Sequence, residues 1–289
     1  QKTAYEIRPR DWSSDVCSSD LSPFDTAGLD ALAATGATGF ALEAIPRITR
    51  GQAMDVLSSQ ANIAGYKAVI LGANEYGRFM PMMMTAAGTV KAARVLILGA
   101  GVAGLQAIAT AKRLGAVVEA SDVRPAVKEQ IESLGAKFVD VPYETDEERE
   151  IAKGVGGYAR PMPESWMKRQ AQAVADRMKQ ADIVITTALI PGRRAPILIT
   201  EEMVKSMKPG SVVLDMAVEQ GGNCAISELG RWVVKHGVTL IGQPNLPATV
   251  PADSSALYAR NVIDLLKLVI DKDGRFTDRK STRLNSSHV

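Results

Sequence analysis

The sequence predicts an α/β fold centred on a Rossmann-type, doubly wound parallel sheet. Short apolar runs alternate with helical patterns from residue 94 onwards, which is typical of parallel strands joined by right-handed crossovers. The first apolar run, RVLIL at 94–98, ends at a glycine and is followed directly by a helical pattern. We therefore expect a parallel sheet with helices on both faces to form the core of the chain.

Before the sheet, a long helix is expected over 51–73, because apolar residues recur there at spacings of three and four. Gly72, Gly77 and Pro81 are expected to break it. Met80 and the three methionines at 82–84 are interpreted as packing filler, since the flexible methionine side chain fills irregular gaps in a core.

Strand and helix patterns then alternate along the chain. After the strand at 94–98, further strands are expected at 116–122, 136–141, 181–189, 211–218 and 238–243. Helices between them are expected at 102–114, 125–134 and 167–180. The polar segment 144–166, which is glycine-rich in its middle, is interpreted as a loop. A closing helix is expected over 253–271, with Asp253 as its N-terminal cap.

The turn after the first strand carries the spacing G-x-G-x-x-G at Gly99, Gly101 and Gly104. In this position Gly99 permits a tight turn, Gly101 lets the backbone approach a pyrophosphate, and Gly104 lets the helix pack close to the sheet. The N-terminus of the helix would present free N–H groups and a partial positive charge to the phosphates. The spacing therefore predicts a dinucleotide-binding site.

Asp122 ends the next strand, about 20 residues further on, where this fingerprint requires an acidic residue. Its carboxylate would accept hydrogen bonds from the ribose hydroxyls and would repel the 2′-phosphate of NADP(H), which favours NAD(H). Arg124 leaves three alternatives open: it could accommodate that phosphate, pair with Asp122, or lie over the adenine.

Composition excludes several other classes of protein. The net charge of +2 provides no basic surface, so no nucleic-acid partner is expected. Two cysteines, Cys17 and Cys224, cannot build a disulfide framework, and no paired Cys or His spacing predicts a metal site. The uncharged run 95–111 contains three glycines and is too short for a membrane span.

The sequence shows no evident acid or base for dehydrogenase chemistry. His236 lies between a predicted helix and a predicted strand, so we interpret it as a helix C-terminal cap. The acidic cluster at 146–150 is interpreted as a solvated face. A second nicotinamide is a hydride acceptor that needs neither acid nor base, only proximity and orientation.

The two ends of the chain lack the patterning of folded protein. Residues 6–21 and 278–289 show neither helical nor strand periodicity, and both resemble translated sequencing-adapter sequence. We therefore expect 1–21 and 278–289 to contribute nothing to the fold, which removes Cys17 from functional consideration.

Residues 22–277 resemble the NAD(H)-binding domain of the alpha subunit of proton-translocating NAD(P) transhydrogenases. The blocks that carry the resemblance are EAIPRITRGQAMDVLSSQANIAGY, LILGAGVAGLQAIATAKRLGA, ASDVR, GVGGYA, TTALIPG and LDMAVEQGGN. The first block contains the Arg-Gln-Asp loop of that family, here Arg47, Gln52 and Asp55, followed by Ser58.

The resemblance implies a set of site residues. Those expected to surround the nicotinamide and to form the catalytic set are Arg47, Gln52, Asp55 and Ser58. The cofactor-binding residues that it implies are Arg47, Ile48, Thr49, Gln52, Asp55, Gly99, Gly101, Val102, Ala103, Gly104, Asp122, Val123, Arg124, Gly157, Tyr158, Gln170 and Leu189. Tyr158, in the mobile loop GVGGYA, would close over bound nucleotide. Two simpler interpretations stay open: Arg47 and Asp55 could form a surface ion pair, and Tyr158 could be an exposed loop aromatic.

The resemblance also implies a remnant of a second α/β lobe, joined to the Rossmann domain by two long helices, with a nucleotide cleft between the lobes. The first-lobe remnant would span 22–57 and the NAD(H)-binding domain 58–248, and a closing helix over 249–277 would return to the first lobe. Implied partners are a second copy of the chain, an NADP(H)-binding domain and a membrane domain that couples hydride transfer to proton movement. The implied location is the cytoplasmic face of the bacterial inner membrane, with no membrane span in this chain, and we expect this piece alone to be inactive.

Two other functions remain as alternatives. An alanine dehydrogenase would share the architecture but would need an acid-base histidine and lysine in the first lobe, and the block RITRGQAMD favours the transhydrogenase. The second alternative is a non-catalytic NAD-binding module.

Overall fold

The computed structural model describes residues 26–34, 42, 45, 48–152, 162–189 and 194–274. The chain divides into two compact units, one drawn from residues 1–61 and 247–289 and the other from 62–246. The sequence prediction places these divisions after residues 57 and 248. The second unit contains the sheet and the glycine-rich turn.

In chain order, the helices of the described residues are α1 (Thr26–Ala34), α2 (Val56–Tyr76), α3 (Val102–Arg113), α4 (Lys128–Ser133), α5 (Asp146–Ala152), α6 (Glu164–Met178), α7 (Glu201–Lys205) and α8 (Pro251–Val269). The strands are β1 (Met83–Thr85), β2 (Gly88–Val90), β3 (Arg94–Leu98), β4 (Val117–Ser121), β5 (Lys137–Phe138), β6 (Ile183–Thr186), β7 (Val212–Asp215), β8 (Trp232–Lys235) and β9 (Val238–Ile241). Short 3₁₀ helices include Gln52–Met54 and Pro125–Val127.

A seven-stranded sheet organises the second unit, in the order β5-β4-β3-β6-β7-β9-β8. All neighbouring strands pair in parallel except β8 and β9, which are antiparallel. The order of the strands reverses between β3 and β6, so the sheet has the switch point at which doubly wound folds bind ligands. The predicted α/β class and the Rossmann-type sheet are therefore confirmed.

The central strands are buried on both faces. All residues of β6 and β7 are buried, as are those of β3 after Arg94, which explains why these strands are continuous apolar runs rather than alternating ones. Ile97 packs with Ile108 of α3 in one hydrophobic cluster, and Leu96 packs with Met178 of α6 in another. Helices thus cover both faces of the sheet, as predicted.

The predicted loop over 144–166 is wrong at both ends. Residues 146–152 form α5 and α6 already begins at Glu164, while 153–161 lie outside the described residues. The acidic residues in the first turn of α5 stabilise this helix, because negative charges interact favourably with the N-terminal end of the helix dipole. The Thr145 hydroxyl also accepts a hydrogen bond from the Glu148 N–H at 3.1 Å.

The interpretation of His236 as a helix cap is also wrong. His236 lies in the turn between the antiparallel strands β8 and β9, with a φ of 55°, and its Nε2 lies 2.9 Å from Glu201 Oε1. The strand β8 was not predicted. It is an edge strand in which the side chains of Trp232 and Val234 are exposed and those of Val233 and Lys235 are partly buried.

Two further expectations fail for local reasons. Met82 to Met84 are exposed at and beside the β1–β2 hairpin, Met84 with 74% of its surface accessible, so only Met80 of that group is core filler. Asp253 does not cap the closing helix, because Pro251 starts that helix earlier, with Val250 as its N-cap.

A buried carboxylate holds α5 against α6. Glu148 accepts hydrogen bonds from the Glu144 N–H at 2.8 Å and from Arg169 Nη2 at 2.9 and 2.8 Å, and Ser165 Oγ lies 3.3 Å from its Oε1. Burial alone would raise the pKa of Glu148, but these hydrogen bonds and the charge of Arg169 lower it below the ordinary value. The folded state therefore binds fewer protons at this group than the unfolded chain does, which stabilises the fold at neutral pH.

We expect Glu148→Gln to lower the melting temperature at about pH 7 by roughly 5 °C or more, since it leaves Arg169 without its buried partner. Because the pKa of Glu148 is depressed, the difference between wild type and variant should shrink as the pH falls below 4.5, the ordinary glutamate value. Thermal melts as a pH series measure this. Glu147→Gln, on the exposed side of the same helix, is the control and should change little; equal melting of all three proteins would contradict the prediction.

Candidate functional site

The turn between β3 and α3 is closed by three hydrogen bonds to neighbouring strand ends. The Gly99 N–H donates to the Ser121 carbonyl oxygen at 2.8 Å, the Thr187 N–H donates to the Leu98 carbonyl oxygen at 2.8 Å, and the Thr187 hydroxyl donates to the Gly99 carbonyl oxygen at 3.1 Å. Gly99 has a φ of +101°, and a Cβ there would lie 2.6 Å from Thr187 Oγ1. Glycine is therefore required by both backbone conformation and space.

Close packing explains a second glycine of the fingerprint and one that the sequence analysis missed. A Cβ at Gly104 would lie 2.0 Å from the Gly99 carbonyl oxygen, so α3 can sit against the turn only without a side chain here. A Cβ at Gly65 of α2 would lie 2.1 Å from the Ala103 carbonyl oxygen. A glycine inside a helical pattern was the available signal for this approach of two helices.

Gly101 differs from its two neighbours in the fingerprint. It is exposed, it is the N-cap of α3, and a Cβ built on it would have no atom within 4 Å. No internal contact therefore demands glycine at this position. The open space in front of Gly101 lies at the start of a 12-residue helix, where unpaired N–H groups and the helix dipole favour an anion. The residues present thus fit the pyrophosphate of a dinucleotide.

Asp122 links the turn to the end of β4. Its Oδ2 accepts the Ala100 N–H at 2.8 Å and its Oδ1 accepts the Arg124 N–H at 2.8 Å. The Arg124 guanidinium adds a bond to each oxygen, from Nε to Oδ1 at 3.0 Å and from Nη2 to Oδ2 at 2.9 Å. Of the three alternatives for Arg124, the structure shows the pairing with Asp122. The hydrogen bond to Asp122 raises the pKa of Arg124, against an opposing effect of burial.

Five more of the predicted residues belong to the second unit. Val102 and Ala103 form the first turn of α3, and Val123 packs beside the small cluster that contains Trp166. Gln170 is buried, and its Nε2 lies 3.4 Å from Ser121 Oγ. Leu189 is 45% exposed, two residues after Thr187.

A buried polar network that the sequence analysis did not assign holds the loop after β6. Asp215, fully buried at the end of β7, accepts hydrogen bonds from the Thr186 hydroxyl at 3.1 Å and from three backbone N–H groups. The three donors are Ala217 at 3.0 Å, Asn223 at 3.1 Å and Cys224 at 2.9 Å. The carboxylate thereby fixes the segment 215–224 as a compact loop.

Asn223 connects this loop to the segment that follows β6 and that contacts the glycine turn. Its Oδ1 accepts the Ala188 N–H at 3.1 Å, and its Nδ2 donates to the carbonyl oxygens of Ala188 at 2.9 Å and Pro196 at 2.8 Å. Residue 188 follows Thr187, whose hydroxyl binds Gly99. In the block LDMAVEQGGN, the signal for this network is an aspartate that ends an apolar strand shortly before Gly-Gly-Asn.

In the first unit, the predicted residues cluster around the start of α2. Ile48 and Thr49 are exposed in a turn that leads into the 3₁₀ helix at Gln52. Asp55 caps α2: its Oδ1 accepts the Ser58 N–H at 2.9 Å and its Oδ2 accepts the Ser58 hydroxyl at 2.6 Å. Arg47, Gly157 and Tyr158 lie outside the described residues.

Asn261 of α8 holds the same turn from the far end of the chain. Its Nδ2 donates to the Ala53 carbonyl oxygen at 2.6 Å and its Oδ1 accepts the Ser59 hydroxyl at 2.8 Å. Gln60 of α2 donates to the Ser254 carbonyl oxygen at 3.2 Å. The bonds of Asn261 to Ala53 and Ser59 could not be predicted from local sequence patterns, because more than 200 residues separate their partners.

Metal-ligand groups and membrane-spanning helices are both absent from the described ranges. Within them, no three or more His, Cys, Asp or Glu side chains are grouped so that they could hold a metal ion. None of the helices described there is both long and apolar enough to cross a membrane.

Comparison with known proteins places the site in a family context. The family model "Alanine dehydrogenase/PNT, C-terminal domain" matches residues 68–288, and the corresponding N-terminal domain model matches residues 16–64. The first part of NAD(P) transhydrogenase subunit alpha from Rhodospirillum rubrum is 59% identical over 245 residues, which cover 85% of this chain and 63% of that protein. Alanine dehydrogenase of Bacillus subtilis is 30% identical over 236 residues, covering 78% of this chain and 54% of that protein.

Among solved structures, a transhydrogenase from Sinorhizobium meliloti superposes with a TM-score of 0.76 at 52% identity, covering 85% of this chain and 65% of that one. The chain thus spans less than two thirds of the length of these relatives. The C-terminal domain model alone matches more than half of the chain and contains the whole glycine turn. The chain therefore belongs to the alanine dehydrogenase/PNT family.

Proposed function

We propose that this chain is the NAD(H)-binding part of an NAD(P) transhydrogenase alpha subunit. The observation that carries the proposal is the intact glycine turn. Packing within the protein requires glycine at 99 and 104, whereas at 101 only the close approach of a ligand would require it. The higher identity to a transhydrogenase, 59% against 30% for an alanine dehydrogenase, favours the first activity over the second.

In the proposed reaction, NADH bound to this chain gives a hydride to NADP⁺ held by a partner domain. The partners that we propose are that NADP(H)-binding domain, a membrane domain that couples the transfer to proton movement, and a second copy of this chain. The site would work at the cytoplasmic face of the bacterial inner membrane.

Each part of the site has a separate task in this proposal. The N–H groups around Gly101 bind the pyrophosphate, and Asp122 binds the adenosine ribose. Gln52, with Arg47, orients the nicotinamide, while the Asp55–Ser58 cap fixes the turn that carries Gln52. Gly157 and Tyr158 cover the bound nucleotide, and Gln170 and Leu189 complete its contacts.

The proposed roles predict a hydride-transfer step that depends on orientation and not on a titrating side chain. In a chain extended to the length of the relatives and supplied with an NADP(H)-binding domain, Gln52→Ala should slow transfer by about 100-fold. The rate should stay nearly flat across neutral pH, because no proton moves in the step. Stopped-flow transfer from NADH to an NADP⁺ analogue, run as a pH series, measures both.

Two controls accompany this experiment. Gln130→Ala, an exposed glutamine on α4, and His236→Asn should leave the rate unchanged. Reduction of NAD⁺ by alanine would replace the proposal with an alanine dehydrogenase. Tight NADH binding without transfer to any acceptor would replace it with a non-catalytic binding module.

A further inference from the structure

The carboxylate of Asp122 has a full set of hydrogen-bond donors within the protein. An ionised carboxylate offers about four lone-pair sites, two on each oxygen. Ala100 N–H and Arg124 Nη2 bind Oδ2, while Arg124 N–H and Arg124 Nε bind Oδ1. A ribose hydroxyl can therefore become a donor to Asp122 only if one of these four donors leaves.

The four donors differ in how readily they can leave. Two are backbone N–H groups, and that of Ala100 sits in the turn that the Gly99–Ser121 bond closes. The other two belong to the guanidinium of Arg124, at the end of a flexible side chain that is 25% exposed, against 6% for Asp122. Because these two donors lie at the end of a side chain with several rotatable bonds, they can leave Asp122 without any movement of the main chain, whereas the two backbone N–H groups cannot.

The positions that the guanidinium occupies match the shape of the ribose. Nε and Nη2 form a fork that places one donor on each carboxylate oxygen. The 2′ and 3′ hydroxyls of a ribose are likewise two neighbouring donors that can bind one to each oxygen. Loss of the fork would thus expose one acceptor site per oxygen, as a diol needs.

We propose that the Arg124 guanidinium competes with the ribose diol of NAD(H) for Asp122 and is displaced when the diol binds. The inference rests on the proposed NAD(H) site and adds to it a residue that sets both affinity and specificity. Arg124 weakens NADH binding, because the ion pair must open first. It strengthens NADPH binding, because the displaced cation can pair with a 2′-phosphate that would otherwise face a bare carboxylate.

Opposite effects on the two nucleotides test the proposal. In the full chain, Arg124→Met should bind NADH about 3- to 10-fold more tightly and NADPH about 3- to 10-fold more weakly than wild type. Isothermal titration calorimetry with each nucleotide gives the dissociation constants. Arg177→Met, which removes a half-exposed ion pair to Glu119 on the same strand β4, is the matched control and should leave both constants unchanged.

A second pair of probes isolates the diol. Arg124→Met should also tighten binding of 5′-AMP, and this gain should vanish with 2′,3′-dideoxy-AMP, which has no hydroxyl to offer Asp122. Should Arg124→Met fail to fold, Arg124→Lys decides the question. Lysine retains the cation but not the fork, so NADH binding should tighten while NADPH binding stays within about twofold of wild type.

Weaker NADH binding by Arg124→Met, or a gain that persists with the dideoxy probe, would overturn the competition and leave the proposed function standing. A wild-type chain that binds neither NADH nor 5′-AMP would overturn the proposed function and this inference together.

Discussion

Asp215→Ala should cost the protein about 4 kcal/mol or more of its free energy of unfolding, a large share of the roughly 5–15 kcal/mol by which folded domains are typically stable. The variant leaves three backbone N–H groups and the Thr186 hydroxyl without their acceptor in a fully buried site. Each such orphaned group costs about 1–3 kcal/mol. Denaturant unfolding followed by circular dichroism measures the loss.

An exposed aspartate supplies the comparison. Asp140→Ala removes a carboxylate whose side chain is 61% exposed and pairs with Lys128, so its effect should stay within about 0.5 kcal/mol. The loss of unfolding free energy in Asp215→Asn should lie between those of Asp215→Ala and Asp140→Ala. The amide keeps one acceptor oxygen but turns its NH₂ group towards N–H donors. A loss below about 1 kcal/mol for Asp215→Ala would show that the loop 215–224 does not depend on the carboxylate.

Gly104→Ala and Gly101→Ala should separate folding from nucleotide binding. The methyl at 104 would overlap the Gly99 carbonyl oxygen at 2.0 Å, so the turn and α3 must move apart, at a cost of roughly 3 kcal/mol. The methyl at 101 meets no atom within 4 Å, and the φ of −74° suits alanine, so stability should hold. NADH affinity should nevertheless fall about 10- to 100-fold, because the methyl fills the proposed pyrophosphate position.

Thermal melts and NADH titrations of both variants make the test. The expected pattern is a melting temperature lower by about 5–10 °C for Gly104→Ala alone, with lost affinity at an unchanged melting temperature for Gly101→Ala. Ser133→Ala, at the exposed end of α4, is the control and should alter neither the melting temperature nor the NADH affinity. Gly210→Ala is unsuitable as a control, because the positive φ of Gly210 would strain an alanine. Wild-type NADH affinity in Gly101→Ala would contradict the assignment of the turn.

The sequence alone determined the sheet, the turn and the family. Apolar runs predict buried parallel strands wherever both faces are covered, as they are for β3, β6 and β7. The glycine spacing is equally local. Gly99 has a positive φ, and Gly104 packs against the Gly99 carbonyl oxygen, so both requirements arise within the same six residues. Where a signal was local and strong, the expectation agreed with the structure.

Only the tertiary structure decided which polar groups serve the site and which are already engaged. Asp122 was predicted as the ribose acceptor, and its pairing with Arg124 was one of three alternatives. Only the folded chain shows that this pairing is made and that Ala100, from a separate segment, binds the same carboxylate. Asn261 and Ala53 meet across 208 residues, and the acceptor role of Asp215 depends on a loop that folds back to it. The exposure of Met84 could not be predicted for the same reason: composition and periodicity describe a residue's own segment, whereas burial and hydrogen bonding depend on what the rest of the chain packs against it. The hairpin that carries His236 is different, because only His236 and Gly237 separate its strands. It was missed because the segment before His236 was interpreted as a helix.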